Sequence, residues 1–166
     1  CGYNSDMTEQ APNAHLTAAI WHWDVYYQAA IETAMTCGGA ENFVTEMGGN
    51  AYYAGLSEGF VDASTLNELV AAPGTAAAME AVRELIDSGE WDVFSGVKLN
   101  ITVDAEADTA AVEQVDAPLM SDGYELKDGE VVEMANPEIV PAGGASVTDD
   151  VIKSGMNYNV AGVVEG

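Results

Sequence analysis

Positive charge is almost missing from this chain. Arg83, Lys98, Lys127 and Lys153 stand against 28 acidic side chains, for a formal net charge of -24. A field of that sign repels polyanions and excludes binding to a nucleic-acid polymer. The acidity itself reads as a solvated surface suited to a salt-rich or extracellular setting. Cysteine is scarce too. Cys1 and Cys37 could pair in an oxidising compartment, but two cysteines make no disulfide framework, and free buried thiols are the expectation. No run nears the ~18 consecutive apolar residues of a membrane span. Neither a basic leader nor an initiator Met is present, so the start of the protein is expected upstream.

Catalytic signatures are missing as well. The chain has no Gly-x-Ser-x-Gly, no Walker loop, no dinucleotide fingerprint and no His-Glu-x-x-His. With no activated nucleophile and no base with a named partner, the expectation is binding without turnover, no catalytic residue and no cofactor. His15 and His22 lack partners at metal-ligand spacing. The acidic runs Asp104-Ala105-Glu106-Ala107-Asp108 and Asp122-Gly123-Tyr124-Glu125 offer hard oxygen ligands to Ca²⁺, yet neither has the twelve-residue calcium-loop pattern.

What is present is 48% hydrophobic residues, which makes the chain globular despite its charge. Its 166 residues suit one ordinary domain or part of a larger one. Leu16 to Ile20 is short, apolar and followed by a polar-aromatic turn, which predicts a buried parallel strand. Tyr27, Ala30, Ile31, Ala34 and Met35 then recur at helical spacing. Asp24 suits the positive end of that helix, and Cys37-Gly38-Gly39 stops it. Aromatics broken by glycines from Asn50 to Val61 predict short strands or a crossing segment. A second helix opens at Pro73-Gly74-Thr75 with Thr75 as N-cap, carries Met79, Val82, Leu85 and Ile86 on one face, and ends at Ser88-Gly89. Trp91 to Phe94 reads as a strand, and Gly96 to about Asp128 as strands or a hairpin. Segments at Glu130 to Glu133 and Ile139 to Gly143, a short helix near Thr148 to Ser154 and a last strand near Tyr158 to Val164 complete the pass.

Several ordered blocks resemble the carboxyl-terminal half of the basic membrane protein (BMP) family, the PnrA-like substrate-binding lipoproteins of ABC transporters. They are Gly2-Tyr3-Asn4-Ser5-Asp6-Met7, Ala14-His15-Leu16-Thr17, the Trp-x-Trp-x-x-Tyr-Tyr of Trp21 to Tyr27, and the Tyr-Tyr-Ala-Gly-Leu-x-x-Gly-x-Val of Tyr52 to Val61. Trp91 to Gly96 and Met156 to Val163 follow in family order. The resemblance implies an α/β fold of the type I periplasmic-binding class, part of a two-lobed three-layer sandwich with mainly parallel sheets and a ligand cleft between the lobes. On that reading the chain divides into 1–62 (strand, helix, strand), 63–96 (crossing and helix), 97–135 (acidic strands and loops) and 136–166 (closing helix and strand). The amino-terminal half of the same protein would be a missing partner. The sequence departs from the family at 97–136, which is longer and more acidic, at Gly96-Val97 in place of Gly-Pro, and at Asp24 in place of Gly.

The function implied is capture of a nucleoside or similar small polar ligand for an ABC permease, outside the cytoplasm, in the periplasm or on the outer face of the cell membrane. Cys1 invites a lipid anchor, although the residues after it read as a strand edge and not as a polar tether. Candidate ligand contacts are Asn4, Asp6, Trp21, Trp23, Tyr53 and Gly55. Trp21 and Trp23 lie two apart, so on an extended backbone both rings face one side and can stack on a planar heterocycle. The alternative for each is plain packing. Asn4 and Asp6 offer acceptors for sugar hydroxyls, or serve only their own turn. Gly55 and Gly59 let the backbone approach a ligand, or meet a local steric need. Two other functions stay open: a carbohydrate-binding or glycoside-processing domain using aromatics and a carboxylate pair, and a secreted calcium-binding structural module.

Overall fold

The computed structural model describes residues 1–163. The chain forms two compact units, Cys1–Ala77 with residues 105–108, and Ala78–Asp104 with Thr109 onward.

The first unit is built on a three-stranded sheet of β1 (Gly2–Asn4), β2 (Ala18–Trp21) and β3 (Val61–Ala63), in that order. β2 runs parallel to β1, with Gly2 opposite Ala18, and antiparallel to β3, with Trp21 opposite Val61. Gly2 is required by crowding, since a Cβ there would lie 2.9 Å from the His15 ring and 3.1 Å from Ala18 Cβ. Ala18 is almost wholly buried, and the ladder beyond it is completed by side chains. Ser64 Oγ accepts from the Ala18 amide at 3.0 Å, and the buried Asn67 donates to the carbonyls of Pro12 and His15 at 2.8 Å each. Backbone groups leaving a short strand otherwise lose their partners, which is why polar residues occupy this interior.

Helix α1 (Trp23–Thr36) follows β2 after a single residue, His22, with Asp24 in its first turn. It ends where the sequence predicts: Cys37 donates its amide to the Thr33 carbonyl and Gly38 turns to φ 74°. Its apolar stripe is not covered, for Tyr27, Ile31 and Met35 are 58%, 60% and 81% exposed. A short helix α2 (Ala40–Glu46), unforeseen in the sequence, comes next. The segment 50–56 contains no strand; the strand of this region is β3, beginning after Gly59 and Phe60.

Helix α3 (Thr75–Asp87) holds the expected span, with Thr75 as a helical residue whose hydroxyl donates to the Ala72 carbonyl at 2.7 Å. Its Met79, Val82 and Leu85 are half-buried and Ile86 is exposed. The predicted strand at Trp91 to Phe94 is a turn. Asp92 Oδ1 accepts from the Phe94 amide at 2.7 Å and from the Ser146 hydroxyl at 2.7 Å, so the side chain takes the place a strand partner would fill.

The second unit carries a hairpin of β4 (Val97–Asp104) and β5 (Thr109–Asp116), paired residue for residue from Val97–Asp116 to Asp104–Thr109. Its other sheet centres on β6 (Leu119–Lys127), which pairs antiparallel with β7 (Glu130–Glu133), β8 (Glu138–Val140) and β9 (Tyr158–Val160). Asp128 and Gly129, at φ 53° and 85°, make the tight turn between β6 and β7. A one-and-a-half-turn helix α4 (Asp149–Ser154) precedes β9. The last strand was expected to reach Val164, which lies outside the described residues.

The expected fold class is therefore corrected. Among the described residues only β1 and β2 are parallel and every other pair is antiparallel, so the small sheets are not a mainly parallel three-layer sandwich. Connection length accounts for the two hairpins: the turns at 105–108 and 128–129 are far shorter than the dozen or so residues a parallel crossover needs and fold each strand straight back on its neighbour, whereas β2 and β3 pair antiparallel across the long connection 22–60. The cysteines are free, as expected, but not buried: Cys1 is exposed and Cys37 half-buried. Among the described residues no helix is long and apolar enough to cross a membrane.

Candidate functional site

The ring-bearing residues of the first unit gather where β2 hands over to α1. Trp21 ends β2 and Trp23 opens α1, so the backbone between them is not extended. The turn at His22 nonetheless brings the two indoles together, with centroids 6.0 Å apart and planes at 29°. His22 donates its amide to the Phe60 carbonyl at 2.8 Å, which sets Phe60 beneath both. Phe60 is 4% exposed and touches Trp21, Trp23 and Tyr52 edge-on at 5.4, 5.6 and 5.2 Å. Tyr26, three residues along α1 from Trp23 and so on the same helix face, meets Tyr52 at 5.3 Å.

The returning loop is held by its own chemistry. Glu58 Oε2 accepts from the Gly55 amide at 2.7 Å, and the Phe60 amide donates to the Gly55 carbonyl at 3.1 Å. Gly59 sits at φ 70°, in the left-handed region that glycine enters without strain. The Gly55 amide holds the Glu58 carboxyl below its ordinary range. This loop carries Tyr52, Tyr53 and Ala54 to the rings, and together with Trp21, Trp23, Tyr26, Phe60 and Val61 they line an open pocket of about 530 Å³.

No protein-family model matches the chain, and no curated protein matches it in sequence. The site is thus defined by its geometry.

Of the residues singled out from sequence, Trp21, Trp23 and Tyr53 line the pocket. Gly55 closes the loop behind the lining and does not face the cavity. Asn4 acts through another residue, for its Oδ1 accepts from the Trp21 indole N–H and so orients that ring. Asp6 serves its own turn: Oδ1 accepts from the Thr8 amide at 2.8 Å and the Thr8 hydroxyl at 2.5 Å, with His15 Nε2 3.3 Å away. Sequence reasoning missed Tyr26, Tyr52 and Phe60 as pocket residues. The signal for Tyr26 was its helical spacing from Trp23, and that for Phe60 its place just before the strand that pairs with Trp21.

Asp6 makes a specific titration expectable. The Thr8 hydroxyl and then the Thr8 amide stabilise the ionised carboxylate, lowering its pKa below the ordinary 3.8. Since the folded value is depressed, the stabilisation is present above pH 3.8 and is lost as pH falls through the folded value. A carboxyl-carbon NMR titration is expected to place the Asp6 midpoint below 3.8, and Thr8→Ala to move it back upward; a midpoint unmoved by that substitution would count against the assignment.

His22 Nε2 lies 3.9 Å from Asp62 Oδ2, a loose approach beside the pocket's Val61 edge. Among the described residues no group of three or more His, Cys, Asp or Glu side chains is placed to hold a metal ion, and the acidic runs at 104–108 and 122–125 assemble none. What the pocket offers chemically is ring faces and edges. Trp23 and Tyr53 are 53% and 63% exposed, so a flat molecule can lie against them without displacing the packed Phe60.

Proposed function

We propose that this chain is a solute-binding component of an ABC import system, taking up a nucleoside or similar planar, polar small molecule for delivery to a membrane permease outside the cytoplasm. The observation that carries the reading is the pocket of about 530 Å³ walled by six aromatic side chains, two of them largely open to solvent. Buried rings alone would be core, whereas exposed rings supported from behind by a buried one make a stacking surface. Stacking of a base on an aromatic ring is worth roughly 1–3 kcal/mol, enough for one ring to anchor a ligand. The ordered BMP-like sequence blocks support the import role.

A solute resting on this surface is covered on one side only, so the chain by itself binds weakly. Full affinity needs a second wall, which we assign to the amino-terminal half implied by the resemblance. Titration with a panel of nucleosides, read by indole fluorescence, is expected to give saturable quenching in the millimolar range. Trp23→Ala is expected to weaken it about tenfold, the loss of one stacking ring. Submicromolar binding by this chain alone, or no response to any nucleoside at saturating concentration, would contradict the proposal.

A further inference from the structure

The unit that carries the aromatic pocket holds no lysine or arginine. All four, Arg83, Lys98, Lys127 and Lys153, belong to the other unit. Acidic residues flank the lining directly: Asp24 follows Trp23, Asp62 follows Val61, and Glu58 stands two residues before Phe60. Asp24 and Glu58 are exposed, and carboxylates are ionised at neutral pH. Two groups oppose them. The amino-terminal end of α1 contributes about half a positive charge at Trp23, which Asp24 in the same turn offsets. His22 Nε2 lies 3.9 Å from Asp62 Oδ2 and opposes it only when the imidazole is protonated.

Aromatic faces carry negative quadrupole charge and attract cations, most strongly at Trp, and a surrounding field of one sign enriches counter-ions at the surface. Both effects act here in the same direction and on the same exposed indole. We infer that the aromatic pocket selects by charge, taking a solute whose bound part is a quaternary or protonated amine ahead of a neutral molecule of the same shape. The inference rests on the reading of this pocket as a solute site and adds the chemical class that the site favours.

The test compares choline with its uncharged isostere, in which carbon replaces the ammonium nitrogen, on the full chain, with adenosine alongside. Ring-proton NMR shifts of the pocket residues are followed at low and at high salt. Choline is expected to bind about tenfold more tightly than the isostere at low salt. The ratio is expected to shrink but persist at high salt, because screening removes the long-range field and not ring contact. Trp23→Ala should abolish most of the preference, and Tyr53→Ala, also at an exposed position, should reduce it. Equal binding of choline and isostere, or a preference untouched in Trp23→Ala, would overturn the inference while adenosine binding leaves the solute site standing. No shift with any of the three ligands would overturn both.

Discussion

Phe60→Ala is expected to cost about 3–5 kcal/mol of stability and to scatter the rings that form the pocket. Phe60 is one of three buried apolar residues in the described chain, with Ala18 and Val140, and it is by far the largest of them. It meets Trp21, Trp23 and Tyr52 within 5.6 Å of each centroid, so its removal leaves a cavity under three aromatic side chains at once. A unit with so little buried apolar surface has few other contacts to absorb the loss. Near-ultraviolet circular dichroism is the suitable readout, since coupled indoles lose their signal when they no longer hold one geometry. Phe60→Leu should keep part of both signal and stability. A Phe60→Ala chain with unaltered aromatic dichroism and melting would show that the rings are organised by something else.

The second large effect concerns the other unit. A side chain at Gly96 would place Cβ 1.9 Å from the Pro141 carbonyl oxygen and 2.7 Å from the Gly144 amide nitrogen. Both are backbone atoms and neither can swing aside. The same glycine donates to the Gly144 carbonyl at 3.0 Å and accepts from the amides of Gly143 and Ala117 at 2.7 and 2.9 Å, so any retreat breaks hydrogen bonds. Gly96→Ala is therefore expected at the upper end of overpacking costs, about 3 kcal/mol, or a fall in Tm of roughly 6–12 °C for a chain of this size. Melting within about a degree of the parent would mean that the segments 96 and 141–144 do not cross as described.

Helices α1 and α3 were legible from apolar spacing closed by glycine, and the hairpin of β4 and β5 from alternation at Leu99, Ile101 and Val103. Helix α2 was overlooked although Ala40, Phe43, Val44 and Met47 stand at i, i+3, i+4 and i+7, because the pattern covers only about two turns. Trp91 to Phe94 has the composition of a strand, but one Asp side chain bonding two residues ahead outweighs it. Pairing direction was misjudged for a more general reason: short apolar runs look alike whether parallel or antiparallel, and only a short loop, as between β4 and β5, settles the direction. At the site, Trp21 and Trp23 were found by residue type, while the supposed cause, an extended backbone, was replaced by a strand-to-helix turn at His22. Asn4 and Asp6 were drawn to the ligand by their polarity, and the structure gives both to neighbouring groups of the chain.

The exposed stripe of Tyr27, Ile31 and Met35 belongs to the same helix as Trp23, yet none of the three lines the pocket. A solute site and an uncovered apolar face are thus separate features of α1, and a ligand that merely sought apolar surface would find the stripe as readily. Intermolecular nuclear Overhauser effects between adenosine and the chain distinguish the two most directly. Contacts from the purine protons to the rings of Trp23 and Tyr53 are the expected result. Contacts to Ile31 and Met35 instead, or none at saturating adenosine, would contradict capture by the aromatic pocket.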